Sequence, residues 1–279
     1  MGREENIVVF EDTERLCKNN PKIKESILRS TKAQKLILEA EKLPEADKNR
    51  YPELASIVVS KKRSYEAASA YKGLKVCVHN FASASNPGGG VTRGSSAQEE
   101  CLCRCSGLYF CLNTKKMWDG FYVPHRNAHN PLHNDDIIYT PEVTVFKTDT
   151  AYPEKMPETD WYEVNVITCA APNLRIHPSN AYNSGDGNDA PKISDKELQH
   201  LHEKRLKRIL EVAAAEKNEV VILGAFGYGA FANDPEIVAQ AAKNVVMEYI
   251  YAFKNIEFAV YCSPRDERNY KVFKRIFEV

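Results

Sequence analysis

The segment LKVCVHNFASASNPGGGVTRG, residues 74–94, carries the clearest structural pattern in the sequence. Residues 74–81 form a nearly continuous apolar run with the length of a buried strand. Small residues and glycines follow, and residues 95–112 have the spacing of a helix. A buried strand that leads through glycines into a helix is typical of α/β proteins with helices on both faces of the sheet.

A second segment of this kind lies later in the chain. Residues 220–223 form a short apolar strand, and the string LGAFGYGAFAN over residues 223–233 contains three glycines. The pattern predicts a helix over residues 235–253, with Asn233 or Asp234 as its N-cap and proline in its first turn.

The rest of the main pattern also alternates strands with helices. Strands are predicted at residues 57–59, 137–146, 162–171 and 256–261, and helices at residues 64–71 and 198–216. This alternation predicts an α/β fold in three layers, with a mixed, largely parallel sheet between helices. Ligands of such sheets bind at the carboxyl ends of the strands, so we expect both glycine segments on the ligand side.

The N-terminal part of the chain has a different pattern. Residues 1–52 are rich in charge, and their apolar positions have helical spacing, including the triplet at residues 36–38. We interpret residues 1–52 as a helical extension that packs on a main domain formed by residues 53–279.

Composition excludes several classes of function. The 279 residues contain 38 basic and 38 acidic side chains, and this balance disfavours bulk binding to nucleic acid or to an anionic membrane. No apolar stretch reaches the roughly 20 residues of a membrane span, and no secretion signal is evident. We therefore expect an intracellular, cytoplasmic protein whose eight cysteines are reduced.

The two glycine segments predict a phosphate site. Glycines at a strand-to-helix junction let backbone N–H groups approach a ligand, and the start of a helix adds positive potential. Two such segments at neighbouring strand ends would hold a diphosphate. Neither contains the Gly-Lys-Ser/Thr of a P-loop, and the second lacks the acidic ribose-binding residue of a dinucleotide fold. An ordinary NTPase or dehydrogenase is therefore disfavoured.

Two adjacent carboxylates, Glu99 and Glu100, follow Gln98 near the start of the helix after the first glycine segment. Acidic residues often stand there because they offset the helix dipole. Here, however, the first turn would face the bound diphosphate. Consecutive helical residues point about 100° apart, so the two carboxylates would have different tasks. One would hold ribose hydroxyls and the other would meet the bond to be broken.

This combination resembles the GGG…QEE motif of poly(ADP-ribose) glycohydrolases. Gly88-Gly89-Gly90 is followed by seven residues and then by Gln98-Glu99-Glu100. Four segments recur in the order of the microbial type of that family, at residues 80–90, 98–109, 166–173 and 223–231. The resemblance extends over residues 57–263. The second glycine segment departs from the pattern at Tyr228, where Cys is frequent, and at Ala232, where Gly is frequent.

The resemblance implies a macrodomain-like fold with ADP-ribose in a cleft at the strand ends. It implies that Glu100 is the catalytic acid, that Glu99 binds hydroxyls of the ribose at the scissile bond, and that Asn86 contacts the same distal ribose. Gln98 is included with the substrate-binding residues, and Phe231 would press on the distal ribose. The backbone of two short stretches would hold the diphosphate: Gly88, Gly89, Gly90 and Val91 in the first, and Gly227, Tyr228, Gly229 and Ala230 in the second.

The function implied is hydrolysis of ADP-ribose polymers from the terminus, with release of ADP-ribose. The partners would be ADP-ribose and poly(ADP-ribose) on modified proteins, without a membrane or sequence-specific nucleic acid. Acid catalysis by Glu100, with the substrate diphosphate stabilising the oxocarbenium ion, requires no metal and no cofactor. Two alternatives stay open: a non-catalytic reader of ADP-ribose, and a hydrolase of mono-ADP-ribose linked to protein or nucleobase. Without the resemblance, a generic nucleotide-binding α/β protein would remain.

Four further features receive structural interpretations. The histidines at positions 125, 129 and 133 stand among prolines and asparagines, so we interpret them as solvated loop residues rather than a metal site. The cysteines at positions 101, 103 and 105 would splay apart on a helix, which disfavours zinc. Residues 178–190 have the composition of an exposed, disordered loop, and residues 168–173 are candidates for the adenine side of the cleft.

Overall fold

The computed structural model describes residues 1–180, 184–262 and 266–278. Within them the helices are α1 (Arg3–Asn19), α2 (Pro21–Ala33), α3 (Ser64–Ser69), α4 (Gln98–Cys105), α5 (Leu108–Leu112), α6 (Lys115–Met117), α7 (Val123–Ala128), α8 (Asp195–Ala215), α9 (Pro235–Met247) and α10 (Arg268–Phe277). The strands are β1 (Lys35–Ile37), β2 (Ser56–Ser60), β3 (Val76–Ala82), β4 (Ile137–Val145), β5 (Tyr162–Ala170), β6 (Val220–Leu223) and β7 (Asn255–Ala259). Single 3-10 turns lie at Val91–Arg93 and Glu158–Asp160, and a π-helical turn lies at Trp118–Tyr122.

The seven strands form one sheet in the order β1-β4-β5-β3-β6-β7-β2. Five neighbouring strands, from β5 to β2 in that order, are parallel. Strands β1 and β4 are antiparallel additions at one edge. The predicted mixed, largely parallel sheet is therefore confirmed.

Helices cover both faces of the sheet because the strands are apolar on both sides. In β3, Cys77 faces a cluster that includes Ile209 of α8 and Val246 of α9. Its neighbour Val78 faces the opposite cluster, which includes Leu102 of α4. Alternation along one central strand thus produces two cores and three layers.

Helix α1 is held by a buried charge on the main sheet layer. Lys147 is only 2% exposed, and its Nζ donates to the carbonyl oxygen of Val9 at 2.9 Å and to Asp12 Oδ2 at 2.8 Å. Thr13 Oγ1 donates to the carbonyl oxygen of Arg104, near the end of α4. Helix α1 therefore buttresses the helix that begins with Gln98, Glu99 and Glu100.

Several predicted elements differ from the structure. Residues 36–38 were expected to be helical, but residues 35–37 form β1, which pairs with residues 137–139 of β4. An apolar triplet fits either period, and its pairing with β4 decides the outcome. The predicted helix over residues 95–112 is divided into α4 and α5 because Ser106 adopts an extended backbone and pairs with Val145.

The predicted helix over residues 235–253 ends early, at Met247, and its N-cap is Asp234, which accepts from the backbone N–H of Glu236 at 2.8 Å. Helix α10 was not predicted.

The interpretation of the histidines as solvated loop residues is wrong for two of the three. His125 lies on α7, where Pro124 occupies the first turn and so removes no helical hydrogen bond. His125 and His133 are buried, and their Nδ1 atoms contact the carbonyl oxygens of Phe121 and Ala171 at 2.8 and 2.7 Å. His129 is exposed. Among the described side chains, no group of three His, Cys, Asp or Glu is placed to hold a metal ion.

In its described part, the loop predicted over residues 178–190 is held to the rest of the protein by the side chain of Asp186. Asp186 is 2% exposed, and its Oδ2 accepts from Asn173 Nδ2 at 2.8 Å. Its Oδ1 lies 3.2 Å from His133 Nε2. The prediction of an exposed, disordered segment is wrong for this residue, because a buried carboxylate needs such partners. Residues 181–183 lie outside the described residues.

The cysteines form no disulfide, and all eight are among the described residues. Seven are buried and Cys262 is half-buried. In the described part of the chain, no helix has both the length and the apolar character that crossing a membrane requires.

We predict that Asp12→Ala lowers the free energy of unfolding by about 1–3 kcal/mol, because it leaves the buried Lys147 ammonium without its carboxylate partner. Burial alone would raise the pKa of Asp12, but the bonded Lys147 holds that pKa below its ordinary value. Urea unfolding at pH 7 measures the change. Glu11→Ala, an exposed position on the same helix, is the matched control. Equal losses in both variants would contradict the buried contact.

Candidate active site

The central part of the site is the start of α4, where two adjacent carboxylates are buried. Strand β3 ends at Ala82, the first glycine segment follows, and α4 begins at Gln98. Glu99 is 2% exposed and Glu100 is 7% exposed. Carboxylates are rarely buried to this extent without paired cations. The burial of each carboxylate must therefore be explained by its own hydrogen-bond partners.

Glu99 is held by donors from the end of β3. Its Oε1 accepts from Asn80 Nδ2 at 3.2 Å, and its Oε2 accepts from the backbone N–H of Ser83 at 2.7 Å. Burial, reinforced by the charge of Glu100, raises the pKa of Glu99 to about 8. The hydrogen bonds oppose this rise because they favour the charged form.

Glu100 has a different environment. Its Oε1 accepts from the backbone N–H of Gly90 at 2.9 Å. Its Oε2 is buried and has no hydrogen-bond partner among the described residues. Burial raises the pKa of Glu100, and the Gly90 N–H opposes the rise. The two carboxylates thus have separate partners, as the 100° rotation between consecutive helical residues predicted.

The first glycine segment passes directly over both carboxylates at Gly89. Gly89 has a φ of +58°, and a Cβ there would lie 2.6 Å from Glu100 Oε1 and 3.3 Å from Glu99 Oε2. Only glycine combines this left-handed backbone with so close an approach. Glycine at position 89 is therefore required by the carboxylates themselves.

Gln98 uses its side-chain amide within the protein. Its Oε1 accepts from the backbone N–H of Phe81 at 2.9 Å, and its Nε2 donates to the carbonyl oxygen of His79 at 2.8 Å and to Ser64 Oγ at 3.0 Å. Two of these bonds tie the start of α4 to β3, and the third ties it to the start of α3. Gln98 also lines the cleft described below, so its predicted contact with substrate stays a prediction.

The second glycine segment is tied together by Asn233. Its Nδ2 donates to the carbonyl oxygens of Pro172 and Gly227 at 2.7 and 2.8 Å. Its Oδ1 lies 2.8 Å from His202 Nε2. Burial lowers the pKa of His202 to about 4, so the imidazole is neutral at pH 7 and Nε2–H donates to Asn233. The turn is compact: a Cβ at Gly227 would lie 2.7 Å from Asn233 Nδ2.

The departure from the family pattern at Ala232 has a structural consequence. Ala232 has a φ of +58°, a left-handed conformation in which a Cβ is strained. A glycine at this position would avoid that strain. Tyr228, the other departure, lines the cleft.

Both glycine segments line one cleft of about 470 Å³. Phe81, Ala171 and Arg175 contribute to its wall, and Met1, Arg3 and Asn6 of the N-terminal region also reach it. Nine residues predicted for the site line it: Gly89, Gly90, Gln98, Glu99, Glu100, Gly227, Tyr228, Ala230 and Phe231. The structure therefore brings residues 140 positions apart to one cavity, at the carboxyl ends of β3 and β6.

A second cavity of about 400 Å³ adjoins the first. Phe81, Gln98 and Tyr228 line both cavities, and Gly229 lines only the second. Its other walls include Asp149 and Tyr261.

Three predicted residues do not line either cavity. Gly88 and Val91 are buried behind the wall, where a Cβ at Gly88 would lie 2.8 Å from the Tyr109 ring. Asn86 is half-buried, and its side chain contacts Arg126. Of the segment predicted for the adenine side, residues 168–173, Ala171 lines the cleft that contains Glu100 rather than the second cavity. The roles of these residues in binding stay predictions.

Sequence reasoning missed several residues that build the site. Asn80 and Ser83, which bond to Glu99, stand inside the quoted segment, and their place beside the glycines was an available signal. For Asn233 the sequence pattern predicts only a role as helix cap. Arg175 follows β5 in a loop without a recognisable pattern.

These features define a class of protein: a mixed α/β protein with two buried, separately held carboxylates in a cleft between glycine-rich strand ends. The family of microbial-type PARG catalytic domains matches residues 4–148. The matched span covers more than half of the chain and begins inside the predicted N-terminal extension. No curated protein sequence matches the chain.

Solved structures agree with this match. The poly(ADP-ribose) glycohydrolase (PARG) of Thermomonospora curvata has a TM-score of 0.82 at 26% sequence identity, and the match covers 99% of this chain and 100% of that one. The same enzyme bound to the inhibitor ADP-HPD also gives 0.82. The PARG of Deinococcus radiodurans in complex with ADP-ribose has a TM-score of 0.75 at 30% identity, with coverage of 90% and 96%.

The chain belongs to the microbial-type PARG family. The predicted family and the predicted class of enzyme, a glycosidase, are confirmed.

We predict that Gly89→Ala destabilises the fold more than Gly73→Ala does. Both glycines have a positive φ, but a Cβ at Gly73 meets nothing within 4 Å, whereas one at Gly89 meets both carboxylates. Backbone strain alone should cost about 1 kcal/mol, and the contact should add about 1–2 kcal/mol. Urea unfolding of the two variants measures the difference. Equal losses of unfolding free energy in the two variants would show that the carboxylates move aside at no free-energy cost.

We predict that Glu99→Gln reduces the loss of stability at rising pH. The pKa of Glu99 is about 8 in the folded protein against an ordinary 4.5, so the folded state binds this proton more tightly. Its contribution is complete below pH 4.5 and is lost as the pH rises to about 8. The free energy of unfolding should therefore fall less between pH 5 and 8 in Glu99→Gln than in the parent, by at least about 1 kcal/mol.

Urea titrations at several pH values test this difference, with Glu53→Gln at an exposed position as the control. Parallel curves for all three proteins would contradict the raised pKa of Glu99.

Proposed function

We propose that the chain hydrolyses the ribose–ribose O-glycosidic bond of ADP-ribose polymers from the terminus and releases ADP-ribose. The observation that supports this most strongly is Glu100 Oε2, a buried carboxylate oxygen that has no hydrogen-bond partner among the described residues, in a cleft lined by both glycine segments. A carboxyl group with a raised pKa can keep its proton there and deliver it to a ligand oxygen.

The chemistry requires such an acid. Cleavage of the glycosidic bond would expel an alkoxide unless its oxygen is protonated. Glu100 gives its proton to the departing ribose oxygen, and the bond to the anomeric carbon breaks through an oxocarbenium-like state. A water molecule then forms the new bond to that carbon, and its proton returns to Glu100. The substrate diphosphate stabilises the positive charge that develops.

Glu99 would hold the hydroxyls of the ribose at the scissile bond. Its oxygens already accept from Asn80 and Ser83, which fix the carboxylate in position. Each oxygen has a second lone pair that can accept from a hydroxyl. The side chain is thus oriented before substrate arrives, and this reduces the cost of ordering it on binding.

We place one ADP-ribose across the two adjoining cavities. The distal ribose would lie beside Glu99 and Glu100, with Phe231 against it, and the adenosine end would extend into the second cavity. The diphosphate would then lie between them, near Tyr228 and Ala230, which line both cavities. The wall shared by the two cavities, which includes Phe81 and Tyr228, supports a single ligand that spans both.

The finer biological context is also a proposal. We infer that the polymer is carried by modified proteins, that the enzyme acts in the cytoplasm without a metal or cofactor, and that no nucleic acid is recognised by sequence. Residues 1–52 would serve as a supporting extension of a catalytic domain formed by residues 53–279. The contacts of Lys147 with Val9 and Asp12 support that role.

The alternatives differ in what they require of Glu100. A reader of ADP-ribose has no use for a buried acid oxygen at the scissile position, so the structure favours the enzyme. Hydrolysis of mono-ADP-ribose on protein or nucleobase would use the same acid, and only the choice of substrate separates it from the polymer reaction.

We predict that Glu100→Gln binds ADP-ribose within about threefold of the parent and loses at least about 10³-fold in turnover of polymer. The amide preserves the shape of the side chain and its acceptor for the Gly90 N–H, but it has no proton to give. Binding is measured by calorimetry, and turnover by release of free ADP-ribose from defined polymer and from mono-modified protein.

Glu53→Gln serves as the control for the same chemical change at an exposed position. Parent-like turnover by Glu100→Gln would overturn the assigned acid. Release from mono-modified protein but not from polymer would favour the mono-ADP-ribose alternative, and binding without release from either would favour the reader.

A further inference from the structure

An arginine outside both glycine segments holds the first of them in place. Arg126 lies on α7, and its Nε donates to the carbonyl oxygen of Ser85 at 2.7 Å. Its Nη2 donates to Asn86 Oδ1. The planar guanidinium thus binds the backbone of Ser85 and the side chain of Asn86 at the same time. A lysine could not reproduce this geometry.

The guanidinium of Arg126 is itself held in place. Its Cζ lies 4.7 Å from the centre of the Trp118 ring, a cation–π arrangement. Trp118 begins the π-helical turn that precedes α7, and its Nε1 donates to Asn113 Oδ1 at 2.8 Å. Behind the arginine, Gly185 approaches so closely that a Cβ there would lie 2.5 Å from Arg126 Cα. The side chain therefore has little freedom to move away from the glycine segment.

The contacts of Arg126 continue to the catalytic carboxylate through the turn they hold. The carbonyl oxygen of Asn86 accepts from the backbone N–H of Gly89 at 3.0 Å. Gly89 packs on Glu100, and the next residue, Gly90, donates to Glu100 Oε1. A displacement of the Ser85–Asn86 turn would thus move the donor that orients Glu100.

Arg126 also determines how the amide of Asn86 is turned. The guanidinium has only donors, so it fixes Oδ1 toward Arg126 and places the amide donors on the other side. An asparagine that is meant to contact a ribose needs a defined orientation of this kind.

We propose that Arg126 is a positioning residue for catalysis: it holds the Ser85–Asn86 turn so that the first glycine segment orients Glu100 against the scissile bond. This inference rests on the proposed function. Arg126 does not line the cleft, so it acts through Asn86 and Gly90 rather than by touching the substrate. Misplacement of a reacting group by about 1 Å can lower a rate about 100-fold.

The test compares Arg126→Met and Arg126→Lys with the parent in the polymer assay. Arg126→Met removes both hydrogen bonds, and we expect kcat to fall about 10-fold to 100-fold while KM changes less than about threefold. Arg126→Lys can restore one bond and should recover part of kcat. Arg275→Met, which removes an exposed arginine paired with Glu236, is the control and should match the parent.

A double-variant cycle separates positioning from general support of the fold. Asn86→Ala removes the side-chain acceptor for Arg126. If the two residues act through one contact, the combined variant should lose less kcat than the product of the two single losses. Thermal unfolding of all variants is recorded, and a rate loss with an unchanged melting temperature supports positioning.

Either of two outcomes would overturn the proposal: parent-like kcat in Arg126→Met, or a rise in KM alone. A fall in kcat that follows the melting temperature across Arg126→Met and Arg126→Lys would assign the residue to stability and would overturn it as well. An inactive parent chain would instead refute the proposed function. An active parent whose Arg126 variants keep its kcat would refute the role of Arg126 and leave the proposed function intact.

Discussion

Burial of two consecutive carboxylates at the start of α4 is the constraint on which the rest of the site depends. Removal of these groups from water is unfavourable, and no cation pairs with Glu100 Oε2 among the described residues. The protein meets this requirement with neutral donors: Asn80 and the Ser83 N–H for Glu99, and the Gly90 N–H for Glu100. Neutral donors leave both pKa values raised, with burial as the largest cause in each case.

The surrounding structure holds those donors in place. The first glycine segment must pass within contact distance of Glu100, and this explains the left-handed backbone of Gly89. Gln98 ties α4 to the end of β3, and α1 supports the far end of α4 through Thr13. Helix α1, which is remote from the motif in sequence, therefore contacts the helix that carries both carboxylates.

Sequence patterns predicted most of the central sheet because its strands are short runs rich in apolar residues. They failed where an element depends on a distant partner. The apolar triplet at residues 36–38 fits a helix or a strand, and only pairing with β4 makes it β1. The sequence around His125 and His133 predicts solvated loop residues. Both side chains are nevertheless buried, and their Nδ1 atoms contact the carbonyl oxygens of Phe121 and Ala171.

The sequence by itself determined the class of fold, the two glycine segments and the paired glutamates, because each of these depends on residues that are close together in the chain. Only the tertiary structure decided which side chains hold them: Lys147 beneath α1, Asn233 within the second glycine segment and Arg126 behind the first. Each of the three is fixed by hydrogen bonds to groups contributed by distant segments. No local periodicity records such contacts, since their partners become neighbours only when the sheet and its helices have packed.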